Sequence, residues 1–161
     1  MTDAADTRWL DDDERAAWVL LCKVLLVLPG ALESQLVRDA DLTLFGYMIL
    51  ARLSVSPEET LPISALAEMA NGSLSRTSHA VTRLEQRGWI RRTVCPGTGR
   101  RYTVATLTEE GRATLTAAAP GHVETVRRLV VDPLGPERTV ALGAACATIA
   151  ETLGLPTEPL A

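Results

Sequence analysis

The stretch from Ile63 to Thr108 most constrains the fold, because helical periodicity changes there to a strand pattern within one short segment. Its first part predicts a helix that opens at Pro62, since proline has no N–H to leave unpaired and suits the first helical position. Asn71-Gly72 should end this helix, because glycine tolerates the left-handed conformation of a helix terminus. The apolar residues between them repeat at helical spacing, at Ile63, Leu66, Met69 and Ala70.

A second helix is predicted from Ser73, a favourable N-cap residue, to about Arg87-Gly88. Its inward face carries Leu74, Thr77, Val81 and Leu84. Its opposite face carries Ser75, Arg76, His79, Arg83 and Gln86. A DNA-reading helix needs short polar groups that reach base edges and cations that meet phosphate. The two helices and their tight turn therefore predict a helix-turn-helix.

A hairpin is predicted after the second helix. The segments 89–94 and 102–107 have the β-branched, aromatic and alternating composition of strands. Pro96, Gly97 and Gly99 mark a turn between them. Arg100 and Arg101 follow at the hairpin tip, where they would enter a minor groove or contact phosphate. The predicted fold class is mainly α with a small β-hairpin wing, a winged helix-turn-helix.

The charge distribution agrees with this interpretation. Residues 71–101 carry seven arginines and one acid, Glu85, which gives +6 within a chain of net charge −4. A basic island on an acidic body is typical of proteins that bind nucleic acid. The alternative is a charged face that is simply exposed to solvent. The arginines coincide with the caps and turns of the predicted helix-turn-helix, which favours nucleic-acid binding.

Four segments, in this order along the chain, resemble the MarR family of bacterial transcription regulators. They read ISALAEMA, SLSRTSHAVTRLEQRGWI, GRRYTVATLTEEG and APGHVETVRRLVVDPL, and the resemblance covers nearly the whole chain. It implies a DNA-binding transcription regulator, expected to be a repressor, that a small-molecule effector releases. The residues expected to contact double-stranded DNA are Ser73, Ser75, Arg76, Thr77, Ser78, His79, Arg83, Arg100 and Arg101.

Two positions depart from the family pattern. Gly99 stands where the family usually has an Asp that braces the wing arginine, and His79 stands where it often has Arg. These departures put the rigidity of the wing and one phosphate contact in doubt. They leave open an alternative function, a winged-helix protein-interaction module that binds no specific DNA.

Apolar helices flank the winged segment on both sides, which predicts a homodimer with interlocking ends. A two-fold dimer presents two recognition helices one helical turn apart and therefore requires a palindromic operator. The alternative is an ordinary core within one chain. The predicted organisation is a disordered tail (1–8), an N-terminal dimerisation helix kinked or broken at Pro29 (9–42), the winged region (43–107), C-terminal dimerisation helices (108–155) and a tail (156–161).

The resemblance also implies an effector cleft between the dimerisation helices and the DNA reader. The candidate residues are Trp18, Cys22, Phe45, Met48 and Arg52, for which plain packing is the alternative explanation. Some family members sense hydroperoxide through a cysteine on the first helix, so a redox role for Cys22 stays open. A thiol-based redox enzyme would need a cysteine of strongly lowered pKa.

Other functional classes have little support in the sequence. It shows no catalytic triad order, no H-E-x-x-H and no phosphate-cradling glycine motif, so we expect no enzyme, cofactor or metal site. The N-terminus is acidic, which is the wrong sign for a signal peptide. The apolar run at 19–28 is too short to span a bilayer. We therefore expect a cytoplasmic protein without a membrane segment.

Overall fold

The computed structural model describes residues 7–69, 74–96 and 102–156, and these residues form a mainly helical domain with one small sheet. The helices are α1 (Asp12–Ala40), α2 (Leu44–Ser54), α3 (Ile63–Met69), α4 (Leu74–Gln86), α5 (Glu109–Val126) and α6 (Asp132–Thr152). The strands are β1 (Thr60–Pro62), β2 (Ile90–Cys95) and β3 (Tyr102–Leu107). This arrangement confirms the predicted winged helix-turn-helix.

Helix α1 begins where the acidic cluster predicts a helix start. Asp11 and Glu14 form a capping box, in which the Glu14 N–H donates to Asp11 Oδ1 at 2.8 Å and the Asp11 N–H donates to Glu14 Oε2 at 3.0 Å. The helix then runs without interruption through Pro29. A break at Pro29 is therefore excluded, because the loss of one backbone hydrogen bond does not end a long helix that packs along α5, and the predicted kink stays a prediction.

The core lies between α2, α3, α4 and the sheet. Leu50, Leu53 and Val81 are fully buried in it, together with Ile90 and Ala105 from the two wing strands. Thr43 caps α2, since its Oγ1 accepts the Gly46 N–H at 3.1 Å. The wing is thus anchored in the same core as the helix-turn-helix, which fixes its position beside α4.

Strand β1 was not predicted from the sequence, which indicated only a surface loop and a helix opening at Pro62. The structure places Pro62 at the end of β1, and α3 begins at Ile63. β1 pairs antiparallel with β3, so that the sheet order is β1-β3-β2. Thr60 and Thr106 share a hydrogen bond of 2.9 Å between their hydroxyl oxygens. A three-residue strand has too little alternation to be recognised without this distant partner.

The C-terminal helices, like α1, continue through a proline. Helix α5 runs through Pro120, and a π-helical turn at Arg127–Val131 leads directly into α6. Helical geometry is interrupted instead at Gly135, whose φ of 70° is readily adopted only by glycine. The interruption thus lies just after Asp132-Pro133, and the helix continues from Pro136 to Thr152.

Helices α1 and α6 leave an extensive apolar surface uncovered. Leu26 is 82% exposed and Val140 is 74% exposed, and α6 contains no buried residue. The alternative of an ordinary intrachain core is therefore wrong for these side chains. We call the following set the terminal apolar surface: Trp18, Val19, Leu20, Leu25, Leu26, Val27, Val140, Leu142, Ile149 and Leu153.

Among the described helices, α1 alone has the length and apolarity that a membrane span requires. The prediction that its apolar run is too short is wrong, because the helix does not stop at Pro29 and extends over 29 residues. Length and composition do not separate a span from a helix whose apolar side packs against another protein.

Candidate nucleic-acid interface

Helix α4 has one buried and one solvent-facing side. Thr77, Ala80, Val81 and Leu84 are at most 5% exposed, whereas Ser75, Arg76, His79, Arg83 and Gln86 are all exposed. The predicted outward face is therefore present. Leu74, assigned to the inward face, is 60% exposed, because it begins the helix beyond the edge of the core.

Thr77 cannot be a DNA contact in this structure. Its side chain is completely buried, and its hydroxyl has no hydrogen-bond partner among the described residues. The assignment of Thr77 to the DNA-contacting set is thus wrong, since its position in the helical period places it against the core. Ser78, the next residue of the helix, is partly exposed and stays available. Ser73 lies outside the described residues.

Arg76 and Phe45 are in contact. The Arg76 guanidinium carbon lies 4.7 Å from the centroid of the Phe45 ring. Such a cation–π contact holds the guanidinium against α2 while the side chain remains exposed. Phe45 thus supports Arg76, and its predicted place in an effector cleft stays a prediction.

Arg83 lies two turns further along the outward face. It is exposed and forms no ion pair with any described residue. His79, one turn before it, is exposed on the same side. These side chains provide donors on one surface without internal partners of opposite charge, which is suited to an external anion.

Arg92 on β2 is a structural clamp. Its Nε donates to Glu85 Oε2 at 2.6 Å, and its backbone N–H donates to Glu85 Oε1 at 3.2 Å. Its Nη1 also lies 3.3 Å from Thr82 Oγ1. The side-chain hydrogen bond from Arg92 holds the pKa of Glu85 below its ordinary value. This network joins the wing to α4. The charge pattern of the sequence indicates only that Arg92 belongs to a basic island.

Arg87 is likewise held within the protein. It forms an ion pair with Asp41 at 2.6 Å and donates to the Asp41 carbonyl at 2.7 Å. Its guanidinium lies 4.3 Å from the Trp89 ring centroid. In the described part of the basic island, Arg76, Arg83, Arg87 and Arg91 are exposed, and Arg87 is held by its contacts with Asp41 and Trp89. Arg100 and Arg101 lie outside the described residues.

Trp89 joins the end of α4 to the wing. Its N–H donates to the Leu84 carbonyl at 3.0 Å, and its own carbonyl accepts the Thr108 N–H at 3.1 Å. Gly88, with φ of 76°, makes the reversal that brings Trp89 back under the helix. Gly111 packs so closely that a Cβ there would lie 2.1 Å from the Trp89 carbonyl oxygen. Helix α4, the wing and helix α5 therefore all meet at Trp89.

The predicted effector residues are spread over α1 and α2. Trp18 and Met48 are 54% and 43% exposed, and Cys22 and Arg52 are half-buried. None of the five candidates lines the cavity of about 330 Å³ beside α4 or the cavity of about 290 Å³ beside α5. The effector cleft on these residues remains a prediction. The described residues contain no cluster of three potential metal ligands.

Comparison with known proteins agrees with this geometry. A family model described as the MarR family matches residues 42–102. Sco3205, a MarR family transcriptional regulator from Streptomyces coelicolor solved in complex with DNA, is 40% identical. The match covers 94% of this chain and 95% of that chain, with a TM-score of 0.85. The chain belongs to the MarR family.

Two further structures extend the comparison. AbsC, a MarR family transcriptional regulator from Streptomyces coelicolor, is 40% identical over 91% of this chain and 98% of its own, with a TM-score of 0.83. CouR from Rhodococcus jostii RHA1, bound to p-coumaroyl-CoA, shares the fold at 24% identity over 89% of this chain and 94% of its own, with a TM-score of 0.68. No curated protein matches the chain. The MarR-family likeness thus includes the terminal helices as well as the winged region.

Proposed function

We propose that this MarR-family protein is a transcription repressor that binds double-stranded DNA through the outward face of α4 and the wing. One observation carries the proposal: five polar or cationic side chains on α4 are exposed while the opposite face is buried in the core. This is the arrangement of a helix that enters a major groove. The DNA-bound structure of the relative Sco3205 supports it.

The exposed side chains fall into two roles. Ser75, Arg76, Ser78 and His79 lie in the first half of α4, from which recognition helices reach base edges. Arg83, further along, contacts phosphate. From the sequence alone, we expect Ser73, Arg100 and Arg101 to add further DNA contacts. Thr77 has no part in it.

We infer that the protein is a homodimer whose terminal apolar surface is covered by a second copy. Monomeric proteins seldom expose so many large apolar side chains on two helices to water. These side chains belong to the helices at the two ends of the chain and not to the winged region. The second copy would explain why α1 has the composition of a membrane span in a cytoplasmic protein. Two-fold symmetry then implies a palindromic operator.

A small-molecule effector would release the operator by changing the separation of the two recognition helices. The p-coumaroyl-CoA complex of CouR supports the existence of a ligand site in a protein of this fold. Redox control through Cys22, a free and partly buried cysteine on α1, is the alternative.

The experiment that tests base reading is selection of preferred DNA sites from a random pool by the wild-type protein and by Arg76→Ala. We expect the variant to lose preference at one or two base positions, since a bidentate arginine contributes about 1–3 kcal/mol of discrimination. Arg83→Ala is the matched control, which should weaken all sites to the same extent. Equal weakening of every site by Arg76→Ala would contradict the base contact. A pool that shows no preferred site with the wild type would favour the protein-interaction module.

A further inference from the structure

Phe45, in the first turn of α2, connects the hydrophobic core with the outward face of α4. It is the only phenylalanine of the chain, and its side chain is partly buried against the core. The guanidinium carbon of the exposed Arg76 lies over its ring, 4.7 Å from the centroid. The ring thus contacts both the core and a cation of the proposed DNA-binding surface.

The first turn of α2 gives this ring a firm support. The Thr43 hydroxyl caps the helix by accepting the Gly46 N–H, and the Leu44 N–H donates to Glu33 Oε2 of α1 at 3.3 Å. Gly46 is buried, and a Cβ there would lie 3.5 Å from a leucine side chain of α4. Because these contacts fix the start of α2 against α1 and α4, the ring of Phe45 has a defined place beside the recognition helix.

A ring in this place can prepare Arg76 for binding. An exposed arginine loses side-chain freedom when it binds DNA, and this loss opposes binding. A guanidinium that is already held in the free protein loses less freedom. Cation–π attraction acts between the charge and the ring face and requires no N–H donor, so it is compatible with hydrogen bonds from the same guanidinium to a base. An arginine held in this way can bond O6 and N7 of one guanine together.

We propose that Phe45 is a positioning residue for base reading, which holds Arg76 ready for a guanine in the major groove. The inference rests on the proposed function of Arg76, and it adds a residue outside α4 to the determinants of the operator sequence. The base pair that Arg76 reads is then G·C, and the preference for it depends on the Phe45 ring. A cation–π contact at an exposed site corresponds to about two- to fivefold in this preference.

The test compares Phe45→Leu, which removes the aromatic ring but keeps an apolar side chain, with Phe45→Tyr, which keeps a ring. Anisotropy measures affinity for the preferred operator and for the same DNA with one base pair replaced, the one whose preference Arg76→Ala abolishes. Each variant is also combined with Arg76→Ala, because the double-mutant cycle isolates the effect that passes through Arg76. Tyr47→Leu is the matched control, since it removes from the same helix an aromatic ring that contacts His122 instead.

We expect Phe45→Leu to lower the ratio of the two affinities by about two- to fivefold, and Phe45→Tyr and Tyr47→Leu to leave the ratio unchanged. Phe45→Met, a second variant without a ring, should give the same loss, so that the result does not depend on the folding of one substitution. In the Arg76→Ala background, Phe45→Leu should have no further effect on the ratio. Equal weakening of both DNAs, or the same loss of ratio without Arg76, would overturn the proposal.

A measurement without DNA separates the ring contact from the proposed function. Because the chain has one phenylalanine, selective labelling assigns its ring protons directly, and nuclear Overhauser effects should connect them to the Arg76 side chain. These effects should disappear in Arg76→Ala. Selective DNA binding without them would overturn the positioning role of Phe45 alone. Their presence in a protein that binds no specific DNA would overturn the proposed function, and the role of Phe45 with it.

Discussion

Arg92 shows how the role of a single arginine depends on its contacts rather than on its place in a basic sequence. Its side chain and backbone both donate to Glu85, so that it joins β2 to α4. Arg91, the preceding residue, is exposed and forms no ion pair with a described residue. Both were counted in the same positive island, but only Arg91 is free to meet an external anion.

We predict that Arg92→Ala lowers the free energy of unfolding by about 1 kcal/mol at pH 7, a modest value because the pair is one-third exposed and screened by solvent. Arg91→Ala should leave it within about 0.5 kcal/mol of the wild type. Urea unfolding of both variants measures this. Equal stability of the two variants would show that the clamp contributes nothing.

The same prediction has a pH signature. The folded pKa of Glu85 lies below its ordinary value of 4.5, so the ion pair stabilises the folded state above that pH. Its contribution is lost as pH falls from 4.5 through the folded pKa. The stability difference between wild type and Arg92→Ala should therefore shrink below about pH 4.5. A difference that stays constant in this acidic range would contradict the assignment.

At the scale of elements, patterns local in the sequence predict most of the winged helix-turn-helix. The end of α4 and the bounds of β3 follow from periodicity and from turn residues near in sequence. Strand β1 could not be predicted in this way, because its pairing partner lies far along the chain. A break at Pro29, one of the two predicted outcomes, does not occur, because packing along α5 outweighs one missing hydrogen bond.

Gly111, in the first turn of α5, occupies a position where only glycine fits. A Cβ at Gly111 would clash with the Trp89 carbonyl oxygen, so we predict that Gly111→Ala destabilises the protein by about 3 kcal/mol. Gly143→Ala in α6 is the control, because a Cβ there meets nothing within 4 Å. That change should be neutral or stabilise by up to about 1 kcal/mol. Thermal unfolding of both variants provides the measurement, and similar melting temperatures would refute the close contact.

At the scale of the whole molecule, the terminal apolar surface is the feature that one chain leaves unexplained. The sequence indicated apolar helices at both ends, but could not separate burial within the chain from burial against another copy. That distinction depends on tertiary packing, which leaves Leu25 59% exposed and buries no residue of α6. The same limit applies to Thr77 and Arg92, whose contacts depend on the packing of α4.

We predict that Leu25→Asp prevents or weakens dimerisation, because it places a charge in an apolar interface. Sedimentation equilibrium should show a mass near that of one 17.3 kDa chain for the variant and twice that for the wild type. Ser34→Asp, an exposed position on the same helix, is the control and should remain dimeric. An unchanged mass for Leu25→Asp would place the interface elsewhere.

The central claim, that the outward face of α4 and the wing bind specific DNA, is tested most directly by fluorescence anisotropy. The wild-type protein is titrated against the promoter DNA that flanks its own gene and against scrambled DNA, at about 50 and 200 mM salt, a range over which several phosphate contacts cost about a thousandfold in affinity. We predict tight, selective binding that weakens steeply with salt, by about 0.9 in log K per phosphate contact for each unit of log salt. Weak binding, or equal binding to both DNAs, would contradict the account.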